Sequence, residues 1–178
     1  MKRKKAFSAD NQQERSKRQF LKGYVVGLVD GEGTFHVAFP RRKDLLMGIS
    51  VIPEFHVSQS YRSKNVLELL KTIFGCGYIK ANHLSSKDNT YIYVVRDRND
   101  LLTKIIPYFE VNQLLTTKRN DFKIFAKVVR MMEKGLHLDS KGIIEIVKIA
   151  YKMNAEGKRR KIKIEKIINA LKSSETIR

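Results

Sequence analysis

Gly23, Gly27 and Gly31 recur every fourth residue through Lys17–Gly31, a stretch otherwise patterned as a helix. Phe20, Tyr24 and Leu28 keep the same interval, and a step of four returns to nearly the same helix face. Interior helical glycine costs about 1 kcal/mol against alanine, so three in one register limit what the segment can be. One account is close approach, because a stripe without side chains admits a second helix. The other is a helix that carries glycine loosely or ends early.

Two period-2 segments follow. In Thr34–Phe39 the odd positions are Phe35, Val37 and Phe39, and the even ones Thr34, His36 and Ala38. In Gly48–Ser58 the odd set includes Ile49, Val51, Phe55 and Val57, against Ser50, Ile52, Glu54, His56 and Ser58. Each reads as a strand with one buried face and one mostly polar face. Pro53 predicts a bulge or an edge. Arg41, Arg42 and Lys43 fall in the connection, within reach of a phosphate backbone.

A helix over Lys64–Phe74 carries Val66, Leu69, Leu70 and Ile73 on one stripe, and Gly75-Cys76-Gly77 stops it. Strands over Tyr78–Asn82 and Thr90–Arg96 come next. Tyr78, Lys80 and Asn82 share a face, whereas Thr90–Arg96 is apolar on both and cannot be oriented. Asp97 and Asp100 have capping-box spacing before a helix over Leu101–Phe109, which Pro107 should shorten. Further helices are expected over Lys118–Glu133, from Asp139 to about Asn154, and over Lys161–Lys172. The basic run Lys158–Lys163 stands at a helix start, where cations are disfavoured. That hints at a phosphate partner, although a solvated charged face is the preferred single reading.

The fold class is therefore α+β: an αββαββα repeat forming a curved antiparallel sheet, helices on one face, plus C-terminal helices. The organisation expected is a flexible basic arm over 1–16, a core over 17–133 and a helical extension of the same domain over 134–178. The open face is polar and basic, suited to a DNA major groove. Charge points the same way: 36 Lys+Arg against 18 Asp+Glu leave +18. Nucleic acid is the usual polyanion that offsets such an excess. No apolar run is long enough to cross a membrane and no secretory signal is evident. The single Cys76 excludes an internal disulfide framework and a Cys-based zinc site. A reducing compartment is expected, a bacterial cytoplasm or an organelle matrix, not secretion.

The first helix ends Val29-Asp30-Gly31-Glu32-Gly33. Two carboxylates at a helix C-terminus oppose the macrodipole, and a divalent cation with hard oxygen ligands would compensate them. Ordinary solvated acids beside a glycine C-cap would look the same. The longer segment Val25-Val26-Gly27-Leu28-Val29-Asp30-Gly31-Glu32-Gly33 resembles the nonapeptide signature of the LAGLIDADG homing endonuclease family. Gly27, Leu28, Asp30 and Gly33 match it identically, and Val25, Val26, Val29, Gly31 and Glu32 are tolerated substitutions. The strand–strand–helix repeat over about Phe20–Phe125 strengthens the resemblance.

The resemblance implies an intron-encoded, site-specific DNA endonuclease, a metal-dependent phosphodiester hydrolase with Mg²⁺ as its ion, Ca²⁺ or Mn²⁺ being able to occupy the site. Glu32 would coordinate the metal, with Gly31 beside it, Glu replacing the usual Asp. Gln59 sits where the family carries a polar residue that positions water. Lys118 is the choice for the active-site basic residue, and Arg62 and Lys64 are further candidates for the basic pocket. One copy of the nonapeptide supplies one signature helix and one acid, so a homodimer is expected, with Gly23, Tyr24, Gly27 and Asp30 at its seam. Double-stranded DNA is the expected partner, with no membrane and no small-molecule substrate. Thr34, His36, Arg41, Arg42, Lys43, Ser50, Glu54, His56, Ser58, Arg62, Lys80 and Asn82 are the expected DNA contacts. The competing reading is a non-cleaving module of the same fold, an intron-splicing maturase or a DNA-binding regulator. A ribosomal component would leave the glycine stripe and its terminal acids unexplained.

Overall fold

The computed structural model describes residues 9–42, 44–82, 89–156 and 163–176. Helix α1 spans Ala9–Glu32, 24 residues, or about 36 Å at 1.5 Å per residue. It starts well before the expected Lys17, so residues 9–16 are helix rather than flexible arm; residues 1–8 lie outside the described set. The reason is local. Gln12, Gln13, Glu14 and Arg15 are good helix formers, and Arg18 pairs with Glu14 one turn away. Residues 11–20 are all exposed, so there was no apolar stripe to betray the helix.

Strands β1 (Gly33–Ala38), β2 (Ile52–Ser60), β3 (Tyr78–Ala81) and β4 (Thr90–Val95) form one antiparallel sheet in the order β1-β2-β4-β3. Phe35, Val37, Phe55 and Val57 are fully or almost fully buried, as the alternation requires, and their even-numbered neighbours turn to the other face. β2 begins later than the expected Gly48: Ile49 and Val51 are buried, but Ile49 meets Arg41 only as an isolated bridge. Pro53 pairs with Val37 of β1, short of the β4 ladder that starts at Phe55↔Val95. It therefore sits where β2 has one neighbour, the edge that proline favours.

β4 takes its orientation from its partners. Tyr93 and Val95 join the core with Phe55. Ile92 and Val94 occupy the opposite face, level with Ser58 and Lys80 and with His56 and Tyr78. Both are nonetheless buried, which is why the strand reads as apolar on both sides.

Helix α2 (Lys64–Phe74) ends on Gly75 at φ +60°, a left-handed cap whose N–H reaches Lys71 O. Asp97 then caps the next helical segment, accepting from Asp100 N at 2.9 Å. That segment is α3 (Arg98–Asp100), a π-helical turn over Leu101–Ile105, and α4 (Ile106–Val111). Pro107 does not shorten it. The ladder widens to the i→i−5 bond Ile106 N–Leu101 O just before the proline, whose nitrogen has no proton to donate.

Helix α5 (Lys118–Glu133) matches expectation. Asp139 caps α6 (Ser140–Ala150) through Gly142 N at 2.8 Å, but α6 stops at Ala150 and a separate turn, α7 (Met153–Glu156), carries Asn154 at φ +52°. Helix α8 covers Ile164–Thr176. Most of the basic run over Lys158–Lys163 lies outside the described residues. One buried cluster joins the two regions, from Phe35, Phe55, Phe109 and Phe125 to Ile143, Ile146, Ile167 and Leu171. The Phe35 ring is its hub, 5.1 Å from Phe55 and 5.3 Å from Phe125.

Candidate active site and nucleic-acid interface

Helix α1 delivers its C-terminus to the inner end of the sheet. Val25 and Val29 bury the core side of its last turns. Glu32 is exposed at the tip, and Gly33 turns directly into β1. That turn is tight. A Cβ on Gly33 would lie 2.6 Å from Val29 Cγ1 and 2.7 Å from Val29 O. Gly23, Gly27 and Gly31 are the reverse: exposed, with nothing within 4 Å of an added Cβ. The chain's own packing does not require these glycines. Beside them Tyr24 is part-exposed and stacks on Phe20, which is 70% exposed. Leu115, 87% exposed, lines a groove with Gly23 and Val26.

Lys118 closes the end of α1. Its Nζ donates to Val29 O at 2.8 Å, Asp30 O at 2.9 Å and Gly31 O at 3.3 Å. A lysine from the first turn of α5 thus satisfies carbonyls that α1 leaves open, at the negative end of its dipole. Burial lowers the Lys118 pKa, opposed by the nearby charges of Asp30, Glu32 and Asp121.

Asp30, expected at the seam, has a second task within its own chain. Its carboxylate is committed within the chain, accepting from Leu115 N at 2.7 Å, Thr116 N at 3.3 Å and Thr116 Oγ1 at 2.7 Å. Burial would raise its pKa, but these hydrogen bonds outweigh burial and lower it. Thr116 Oγ1 in turn accepts from Lys118 N at 3.3 Å. Asp30 therefore fastens the loop that aims Lys118.

Gln59 is half-buried near the end of β2, two residues past the Gly33↔Val57 pair. That brings it level with the α1 tip. Arg62 is exposed in the 3₁₀ turn Tyr61–Ser63, and Lys64 Nζ lies over the Tyr91 ring, 5.1 Å from its centre.

The register lays out the open face in rows. Thr34, His56, Val94 and Tyr78 are level with one another, as are Ser58, Ile92 and Lys80. Asn82 continues the face, its N–H bonded to Thr90 O at 2.8 Å. Ser50 is half-buried and Arg41 exposed, both before β2. One expected contact, Arg42, has a partner within the chain. Arg42 forks onto Asp44, Nε–Oδ1 2.9 Å and Nη2–Oδ2 2.7 Å, which holds the Asp44 carboxyl down at about 2. Lys43 lies outside the described residues.

Glu54, another expected contact, also has partners within the chain. Only 8% exposed, it accepts from Arg96 Nε through one oxygen and bonds His56 Nδ1 at 3.0 Å through the other. Burial would raise its pKa, but these two partners hold it at about 2. Each oxygen of Glu54 thus has a partner within the chain, and little of the side chain is exposed. Arg96 was missed because its strand could not be oriented; its position level with Glu54 follows only from the β2–β4 register.

Among the described residues, no three of His, Cys, Asp and Glu converge into a metal cage. The α1 tip still fits a hard cation in part, through the exposed Glu32 carboxylate; the Gly31 carbonyl, which Lys118 Nζ reaches at 3.3 Å, would serve the ion through its second lone pair. Such an open site needs further oxygens from a phosphate, water or a second chain.

Comparison with known proteins agrees with this geometry. The family model described as LAGLIDADG endonuclease matches residues 25–129. A "Probable intron-encoded endonuclease 3" of Neurospora crassa is 33% identical over 128 residues, 72% of this chain but 24% of its own length. The chain thus spans about a quarter of that relative. The crystal structure of the homing endonuclease I-TnaI superposes with TM-score 0.73 at 37% identity, covering 86% of this chain and 97% of that one. The archaeal intron-encoded homing endonuclease I-Vdi141I, solved in complex with DNA, reaches TM-score 0.80 at 28% identity, with coverage of 89% and 99%. Since the family model takes in more than half of the residues, including the α1 tip, the sheet and Lys118, the chain belongs to the LAGLIDADG endonuclease family.

Proposed function

We propose that the chain is a site-specific DNA endonuclease that acts inside the cell as a homodimer, cutting both strands of a long pseudo-palindromic site with a divalent metal ion. The observation that carries this reading is the α1 tip, where Lys118 grips the Val29–Gly31 carbonyls beside the exposed Glu32. DNA-bound I-Vdi141I, similar over nearly its full length, supports the substrate. The empty glycine face of α1 supports the dimer. It leaves room for a second α1 at close range, flanked by the exposed Phe20, Tyr24 and Leu115. A twofold pairing would bring two Glu32 carboxylates to one centre.

Glu32 and the Gly31 carbonyl would hold the ion, with Mg²⁺ as the physiological choice and Ca²⁺ or Mn²⁺ as substitutes. When bound, the ion supplies Lewis-acid activation of the scissile phosphate and its attacking water. Gln59, level with the α1 tip, would orient that water through its amide. Lys118 has all three ammonium protons committed to carbonyls, so its part is to hold the helix end and keep a fixed positive charge beside the phosphate. The sheet face and the basic surface would hold the DNA.

Glu32→Gln tests the assignment against a plasmid library with Mg²⁺. The wild-type chain should linearise target plasmids. The variant should lose cleavage by orders of magnitude while retaining affinity, which rests on many phosphate contacts. Wild-type-like cutting by Glu32→Gln would remove Glu32 from the site. Binding without any cutting by the wild type would favour the non-cleaving module.

A further inference from the structure

The catalytic reading leaves one buried network on the open face unused. By the strand registers His36 lies opposite Glu54, and Glu54 is level with Arg96, just beyond the Phe55↔Val95 pair. Glu54 Oε2 accepts from Arg96 Nε, and Glu54 Oε1 bonds His56 Nδ1 at 3.0 Å. The carboxylate is almost covered, its side chain 11% exposed, whereas the Arg96 side chain is 49% exposed. An anion buried on a face that meets phosphate would repel the ligand unless cations sheathe it. Here the Arg96 guanidinium does so, with His56 Nδ1 hydrogen-bonded to the other oxygen.

The chemistry of each group then narrows its use. Glu54 is ionised far below neutral pH and can only accept, so the proton on the His56 side of that bond sits on Nδ1. Arg96 is held through Nε alone. Its Nη1–Nη2 edge is not committed to Glu54, and the guanidinium is planar. That edge presents two parallel N–H donors, the pattern that matches O6 and N7 of guanine in the major groove. The Arg96 end of the pair is half exposed and screened by water, so stability does not account for where its fork points. Holding a long arginine in one rotamer before the ligand arrives does help binding, because less freedom is lost on association.

We propose that Arg96 is a specificity-determining residue that reads a guanine through its Nη1–Nη2 edge, and that Glu54 is the positioning residue that aims it. The inference rests on the DNA-endonuclease reading above. The row lies three residues along β1 from Gly33, roughly 10 Å at about 3.4 Å per residue. The base concerned therefore flanks the cleaved step and occurs twice in a twofold site.

Selection of bound duplexes from a randomised library tests this, using the full chain and its variants, each checked for folding by thermal melting. The wild type should enrich a sequence with a preferred guanine at one symmetric pair of positions. Arg96→Ala should lose that preference by roughly 5- to 150-fold at those positions and leave the others in place. Arg96→Lys keeps a cation for Glu54 and so guards against misfolding; because an ammonium can also donate to O6 and N7, it should weaken the guanine preference rather than abolish it. Glu54→Gln should relax the same positions more mildly; a merely structural role would not single them out. An unchanged sequence from Arg96→Ala overturns the proposal. So does a uniform weakening at every position, the mark of a phosphate contact. If the wild type enriches no sequence at all, the endonuclease reading itself falls.

Discussion

Replacing Gly23 and Gly27 by alanine should stabilise the isolated chain and weaken its self-association. Both glycines lie inside α1, and neither has an atom within 4 Å of an added Cβ. The folded monomer thus has room for both methyl groups, and the helix gains about 0.8–1 kcal/mol at each site. The pair should contribute about 1.5–2 kcal/mol, which for a domain of this size raises Tm by roughly 3–8 °C. In a close helix seam the same methyls meet the partner. Two per chain and four per dimer would hold the helices apart, and overpacking of this kind costs about 1–3 kcal/mol. Association should therefore weaken roughly 5- to 150-fold at 1.4 kcal/mol per decade. Urea melts over a dilution series separate the two effects, and sedimentation equilibrium measures assembly directly. Gly33→Ala is the contrast. Its Cβ would fall 2.7 Å from the Val29 carbonyl oxygen, so it should destabilise the monomer. If the double variant melts lower at high dilution, or sediments as tight a dimer as the wild type, the seam argument is wrong.

Lys118→Met should cost about 1–3 kcal/mol of stability in a urea melt, because three carbonyls lose their donor. It should reduce cleavage at least 100-fold with little change in DNA retention on a filter; undiminished cleavage would remove Lys118 from the site. Asp30→Asn keeps one acceptor oxygen but loses the charge that serves Leu115 and Thr116. We expect a loss of about 1–2 kcal/mol and faster amide exchange at Leu115 and Thr116; unaltered exchange there would refute the anchoring role. The Glu54 carboxyl lies near 2 in the folded chain against an ordinary 4.5. A depressed carboxylate stabilises above its unfolded value and loses that contribution as pH falls toward the folded one. The stability gap between wild type and Glu54→Gln, about 1–3 kcal/mol at pH 7, should therefore narrow from pH 4.5 to pH 3. A gap that stays constant over that range would refute the pairing.

Local pattern was enough for the parts of this protein that depend on local physics. Strand alternation placed Phe35, Val37, Phe55 and Val57 inside and His36, His56 and Ser58 on the open face, because period 2 assigns a face to each residue. Four-residue spacing marked the glycine stripe, and Lys118 opens α5 where a basic residue was expected. Tertiary structure decided what stands opposite what. Glu54 reads as a polar contact from its parity, but a partner 42 residues away turns it into a buried anchor. Asp30 reads as a surface acid on the seam, but a loop 85 residues on claims both its oxygens. Arg96 and the direction of β4 were invisible because Ile92 and Val94 are buried on the open face, which erases the alternation. Periodicity encodes burial. It carries no record of the register that brings distant charges together, and most of this site consists of such pairs.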